Sequence, residues 1–272
     1  MRRSSQGAVT EERAGQIHAT AAIDPAAKVP ASCRIGPFCV VGAEVELGED
    51  CELISHVSLQ GPTKIGAHNR IFPFVSIGFE PQDLKYKGEK TRLEIGDHNV
   101  IREYVTINRG TAGGGGVTRI GSHCLFMAYT HVAHDCAIGD YVIMANAATL
   151  AGHVTVEECA TVGAFSAVHQ FTRVGAHAYI GGGTIITRDV LPFSKTSAAR
   201  EAKAYGVNAI GLERRGFSKE RIAKIQRAYR VLINSRLNTS QALEKLRSAG
   251  EQGEDVALLL RFIETSERGT IK

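Results

Sequence analysis

The chain has 272 residues, 43% hydrophobic and 22% charged, which is enough to bury a sizeable core and is ordinary for a soluble globular protein. Its apolar runs, such as 256–260, fall far short of the ~20 residues a membrane span needs, and the polar N-terminus lacks the apolar stretch of a secretory signal. A formal charge of +4 is too small to point to nucleic acid.

Residues 1–16 read as a flexible polar arm. From Ile17 the chain repeats with a period of six: IHATAA, IDPAAK, VPASCR, IGPFCV, VGAEVE, LGEDCE and onward to IGFEPQ. The phase breaks over 79–92, resumes at Ile95, is interrupted again by GGGG at 113–116, and then holds from Ile120 to about Leu191. Over about 26 hexads the first position is aliphatic except at Phe126 and Met144, the second is often Gly, and the fifth is usually small or β-branched. This is the hexapeptide signature of a parallel β-helix. Three hexads make one triangular coil of 18 residues, and each aliphatic residue stacks on its counterpart one coil away at the strand spacing of about 4.8 Å.

The six cysteines show no CxxC pair or zinc-finger spacing, and Cys33, Cys39, Cys51, Cys124 and Cys136 all fall on the fifth hexad position. Packing explains them better than redox or metal chemistry, and they read as reduced thiols of a cytoplasmic protein. The polar break at 79–92 carries Asp83 and Lys85, and insertions on a rigid solenoid collect on its binding face. The GGGG run reads as a flexible loop and little more.

After Pro192 the period disappears. Residues 218–235 place Ile222, Ile225, Tyr229, Leu232 and Ile233 at helical spacing behind Ser218 as N-cap, and two further helices follow, the first ending at Gly250. The expected division is therefore 17–191 as β-helix and 192–272 as a helical domain capping the last open coil. From Arg200 to Arg236 the chain carries ten Lys or Arg against three Glu, a basic surface suited to an anionic partner or substrate, although a solvated helix face would look the same.

With an 18-residue coil, spacing becomes geometry. His134 and His153 are 19 apart, His153 and His169 are 16 apart, and His131 shares a coil with His134, so four histidines are expected on one wall. Two chemistries fit. A histidine can serve as a general base at neutral pH, with Asp135 orienting its ring if the pair sits at a corner. Alternatively, three histidines could hold Zn²⁺ and activate water. The sequence contains no GxSxG, P-loop or Rossmann fingerprint.

The segments IGPFCVVG (35–42), QDLKYKGEKTR (82–92), IREYVTINRGT (101–111), HVAHDC (131–136), LAGHV (150–154), AVHQF (167–171) and GVNAIGLERRGF (206–217) occur together and in this order. In them the chain resembles the UDP-N-acetylglucosamine O-acyltransferases of lipid A biosynthesis, over roughly 17–272. The resemblance implies a left-handed parallel β-helix with a C-terminal α-helical domain, assembled as a homotrimer with active sites between subunits. It implies transfer of an (R)-3-hydroxyacyl chain from acyl carrier protein to the 3-hydroxyl of UDP-N-acetylglucosamine. No metal or prosthetic group is implied, because the phosphopantetheine belongs to the donor. His134 matches the general base, Asp135 its acidic support, and Gly152 the amide donor to the oxyanion. His131, His153, His169 and Gln170 match substrate-contacting positions, Asp83 and Lys85 the loop that holds the sugar and phosphate, and Asn208, Arg214 and Arg215 the nucleotide end. Gly182 matches a position that limits acyl length, and without a side chain it implies a groove open to about fourteen carbons rather than ten. The acidic carrier protein would dock on basic residues near Arg214–Arg236.

Two positions depart from the family. Asn108 stands where His is common, and Ile210 where an acidic residue is frequent, which bears on ribose recognition. Three rivals remain. The sister N-acyltransferase usually carries an N-terminal uridine-binding domain, for which the residues before Ile17 leave no room. A hexapeptide-fold zinc hydratase would use His131, His134 and His153 as ligands. A non-catalytic scaffold gives the histidines no purpose.

Overall fold

The computed structural model describes residues 16–197, 203–233, 237–249 and 253–271. The expected arm, the outer ends of the basic stretch at Arg200 and Arg236, and Gly250 lie outside them. The chain winds as a left-handed parallel β-helix whose walls are sheets of nine, seven and ten strands. Strands one coil apart pair in parallel at an offset of 18 residues, as Ala22 does with Val40 and Thr149 with Ala167.

The hexad dictates this geometry residue by residue. First-position side chains such as Ile35, Leu53, Ile71, Ile101, Phe126, Leu150 and Ile180 are all buried inside the triangle. The fifth-position cysteines are buried there too, and all six thiols are free. The two asparagines at fifth positions are satisfied along the axis: Asn69 accepts from the Asn99 amide, and Asn99 accepts from the Cys124 amide. The fourth residue makes the corner. Apart from Phe193, every described non-glycine residue with positive φ is the fourth of its hexad, with φ between 52° and 66°. Such residues cost roughly 1 kcal/mol each, a strain offset by the backbone ladder and the packed interior.

Both breaks in the repeat leave the coil at the same corner, between the nine- and seven-stranded sheets. The first separates Ser76–Phe79 from Arg92–Ile95, and the second separates Thr106–Asn108 from Val117–Ile120. The second is not the flexible loop that GGGG suggested. Ala112–Gly114 form a single 3₁₀ turn capped by Thr111, and Gly110 and Gly116 both bond to the Arg92 backbone. Of the four glycines, Gly114 permits close approach to Asp135, and Gly115 and Gly116 take positive φ.

Beyond Pro192 one more parallel strand, Ser194–Ser197, joins the ten-stranded sheet, and Lys203–Val207 pairs with it antiparallel. Among the described residues four helices follow: α1 (Ala209–Arg214), α2 (Lys219–Ile233), α3 (Thr239–Ser248) and α4 (Glu254–Glu264). The helical spacing places Ile222, Ile225, Tyr229 and Leu232 in a second core with Leu191, Phe193 and the apolar face of α4, and Ile233 packs at its margin. Helix α4 lies over the seven-stranded face, where Arg173 stacks on Phe262 at 4.2 Å. The tail then closes the last coil. Ile271 donates to the Asp189 carbonyl, and the buried Asp189 carboxylate accepts from Ser266 Oγ at 2.7 Å and the Arg173 amide at 2.9 Å.

Candidate active site

The corner from which both insertions emerge carries His134–Asp135, Gly152–His153 and Gln170–Phe171 on three successive coils. In a strand, consecutive side chains diverge. At this corner the left-handed backbone of Asp135 (φ 59°) swings its carboxylate back beside the preceding ring, and Oδ2 lies 2.8 Å from His134 Nδ1.

The Asp135 side chain is only 1% exposed and is held on every side. Oδ1 accepts from the Thr111 amide at 2.8 Å, Oδ2 accepts from the Thr111 hydroxyl at 2.6 Å, and the Asp135 amide donates to Thr118 Oγ1. Both oxygens accept from Thr111, and as a carboxylate Asp135 offers the ring acceptors alone. His134 Nδ1 is therefore the donor, and Nε2 keeps its lone pair for an incoming proton. The ring rests on the next coil: a Cβ at Gly152 would lie 2.5 Å from His134 Cε1, so only glycine fits beneath the imidazole. Among the described residues the Gly152 amide has no acceptor, leaving a donor beside the ring.

His153 packs edge-on against His134 at 5.2 Å and stacks on Phe171 at 4.4 Å. Burial lowers its pKa below the usual histidine value; Asp135 and the more distant Asp83 oppose that shift, and His134 adds to it. His131 is also lowered, first by burial and then by His134, and its Nδ1 pairs with Thr106 Oγ1 at 2.7 Å. Among the described residues, the group able to share a metal is His134, Asp135 and His153. That is not the expected His131, His134 and His153 set, because His131 faces Thr106 instead. In the group that does meet, Oδ2 already accepts two hydrogen bonds.

His169 and Gln170 lie on the same edge further along the axis but are exposed, with His169 Nδ1 facing the Gln170 carbonyl. His134, His153 and His169 thus share an edge, with His131 on the strand that leads into it, and His134 and His153 are in ring contact. Asp83 caps its own turn by accepting from the Lys85 amide, and Lys85 stands exposed beside it. The loop's base is clamped from below: Asn108 Nδ2 donates to the Glu80 carbonyl at 2.8 Å, and the buried Arg109 donates to the Gly78 carbonyl and to Tyr86 Oη. Asn108 therefore anchors the loop. Sequence reasoning missed Thr111, Thr118 and Arg109, whose partners lie 17 to 31 residues away across the insertions.

A second region lies elsewhere on the chain. Asn208, Ile210, Arg214 and Arg215 line a groove of about 560 Å³ with Tyr179 and Lys195, on the ten-stranded face. In a triangular prism that face is opposite the His134 corner, and α4 covers the wall between them. Asn208 also caps α1 by accepting from the Gly211 amide, and Arg215 lies over the Tyr141 ring at 5.3 Å. Gly182 is exposed at the corner preceding the nine-stranded sheet, and an added Cβ there would come within 3.1 Å only of the Ala164 carbonyl oxygen.

A hexad β-helix with an oriented imidazole and an open amide at one corner defines a class, the hexapeptide-repeat acyltransferases. The profile described as bacterial transferase hexapeptide (six repeats) matches 118–152, and that of UDP-N-acetylglucosamine O-acyltransferase, domain 2, matches 189–271. The chain is 49% identical to the acyl-carrier-protein–UDP-N-acetylglucosamine O-acyltransferase of Xanthomonas euvesicatoria, over 94% of this chain and 97% of that one. It is 48% identical to the protein of that name from Myxococcus xanthus, over 93% and 98%. Among solved structures, the UDP-N-acetylglucosamine O-acyltransferase of Moraxella catarrhalis superposes with a TM-score of 0.90 at 44% identity, covering 94% of this chain and 99% of that one. The Bacteroides fragilis enzyme gives 0.91 at 39%, covering 94% and 100%. The chain belongs to the UDP-N-acetylglucosamine O-acyltransferase family.

The groove also contains a pH-sensitive group. Burial, followed by the Arg215 charge, lowers His177 from 6.5 to about 4, while Asp255 opposes and Arg221 adds to the shift. The unfolded chain takes up a proton near pH 6.5 and the folded chain only near 4, so stability present above about pH 6.5 is lost as pH falls through that window. His177→Phe should flatten this loss, read as a smaller drop in the urea midpoint between about pH 7 and about pH 4.5. Identical slopes in parent and variant would remove His177 as the cause.

Proposed function

We propose that this enzyme moves an (R)-3-hydroxyacyl chain from acyl carrier protein to the 3-hydroxyl of UDP-N-acetylglucosamine, with His134 as general base. The observation that carries this reading is the pairing of His134 Nδ1 with the buried Asp135 carboxylate at 2.8 Å, above the unpaired Gly152 amide. His134 Nε2 takes the proton from the sugar hydroxyl, whose oxygen attacks the thioester carbon. The carbonyl oxygen becomes an oxyanion that accepts a hydrogen bond from the Gly152 N–H. Collapse breaks the C–S bond, and the imidazolium returns its proton to the departing thiolate. An amide donor of this kind contributes roughly 10²–10³ in rate, and a positioned base roughly 10²–10⁴. The step needs no resident metal or prosthetic group, since the base and the oxyanion donor belong to the chain and the pantetheine arrives with the donor. Both substrates and the free thiols suit a cytoplasmic enzyme.

His134→Ala should fold, assemble and lose nearly all turnover. Retention of a tenth of parental activity would refute the assignment. His131, His153, His169 and Gln170 are assigned to substrate contact along the edge, and Asp83 and Lys85 to the sugar and phosphate. His153→Ala and His169→Ala should therefore cost less than His134→Ala.

Asn208, Arg214 and Arg215 are assigned to the nucleotide, and their basic groove suits a diphosphate. In one chain it lies across the prism from His134, so a single UDP-sugar reaches both only between subunits, in a homotrimer. The basic residues from Arg214 onward would receive the acidic carrier protein. Mixing two inactive variants tests the shared site. Refolded mixtures of His134→Ala and Arg215→Ala should regain activity, because some interfaces then combine one intact half from each parent. Mixtures as inactive as either variant would rule out sharing.

Gly182 is assigned as the position that limits acyl length. Each further buried methylene adds ~0.8 kcal/mol, nearly fourfold in transition-state binding, until the groove ends. Gly182→Met should shift preference toward shorter donors at unchanged His134 chemistry, read with a series of hydroxyacyl carrier proteins. A parental preference for ten carbons over fourteen would exclude this role.

A further inference from the structure

We propose that Thr111 is a positioning residue for the acyl transfer: its hydroxyl and amide lock the Asp135 carboxylate toward His134, and the glycine turn it initiates shields that carboxylate from water. The inference rests on reading His134 as the base. Oδ2 of Asp135 has two imidazoles in reach, His134 Nδ1 at 2.8 Å and His153 Nε2 at 3.7 Å. A carboxylate free to rotate would divide itself between them. Thr111 removes that freedom by gripping both oxygens, with its amide on Oδ1 at 2.8 Å and its hydroxyl on Oδ2 at 2.6 Å.

The hydroxyl is itself oriented. Thr111 Oγ1 accepts from the Gly114 amide at 3.1 Å, which directs its own hydrogen at Oδ2. The chain of donors therefore runs from Gly114 N–H through Thr111 Oγ–H to Asp135, and each link polarises the next. A Cβ at Gly114 would lie 2.0 Å from Asp135 Cγ, so the turn sits directly on the carboxylate. Its far end is fixed, since Gly116 donates to the Thr111 carbonyl and accepts from the Arg92 amide. Thr111 thus selects which histidine receives the negative charge, and turned to His134 Nδ1 the carboxylate leaves His134 Nε2 as the acceptor.

The test is a double-mutant cycle on the intact enzyme. Thr111→Val keeps the shape and the amide but loses the hydroxyl, and should lower kcat about 10–100-fold with KM for UDP-N-acetylglucosamine within about twofold. Thr111→Ser should restore most of the rate. In an Asp135→Ala background, Thr111→Val should cost nothing further, because the group it positions is gone. Unchanged kcat in Thr111→Val, or the same loss with and without Asp135, would overturn the proposal. Should Thr111→Val not fold, Gly114→Ala addresses the same carboxylate by displacing it, with the same expected loss of kcat and the same disappearance of that loss in Asp135→Ala. His134→Ala is the separate control: full activity there would refute the base itself, whatever Thr111 does.

Discussion

The backbone of each coil is hydrogen-bonded to the next along all three walls, and the chain keeps that contact by turning sharply about every six residues, at most corners through one left-handed residue. Everything else follows from this corner. It forces the first and fifth side chains inward, where Ile, Leu, Val and Cys fill the triangle. It also points the third and fourth side chains outward as a pair, which extended backbone does not do. Many corners use the fourth side chain to stack on its counterpart one coil away, as His68, His98, His123 and Tyr141 do along one edge. One corner uses it to set a carboxylate against an imidazole.

The rigidity of the coil explains why the two insertions matter. A solenoid corner is convex and cannot enclose a reacting group. The loops at 80–91 and 109–116 leave the wall on the coils just beneath His134, at the same corner. Asn108 and Arg109 clamp the first loop, and Thr111 and Gly114 seat the second on Asp135. Regular coils therefore supply placement, and the irregular residues supply enclosure and charge orientation.

What the sequence reveals follows the same division. The walls were legible because a period of six recurs over most of the chain, and each hexad independently reports which side chain faces in. The His134–Asp135 pairing was legible only as a condition: it needed a corner, and the left-handed fourth position that supplies one shows in the structure. Thr111 was not, because its partner lies 24 residues away and GGGG signals flexibility as readily as close approach. The strand Lys203–Val207 and helix α1 were also missed. Neither has a period of its own, and each is held by tertiary contacts, with Ser194–Ser197 and with the Asn208 cap.

The coil also carries a graduated scale. His131, Thr149, Ala167 and Ile185 stand opposite one another on successive rungs of the nine-stranded sheet, so Gly182, three residues before Ile185, sits three rungs above the His134 coil. At about 4.8 Å per rung, a chain lying along the axis advances roughly four methylenes for each coil it passes, taking C–C bonds of about 1.5 Å in zigzag. A side chain raised at the same hexad position one coil lower would shorten the available length by that whole increment. Finer adjustment has to come from the size of the side chain on a single rung. On the proposed role of Gly182, a hexad β-helix would therefore measure an aliphatic chain in coarse steps set by the backbone and fine steps set by the residue, and the coarse step would be the same for every sequence that keeps the fold.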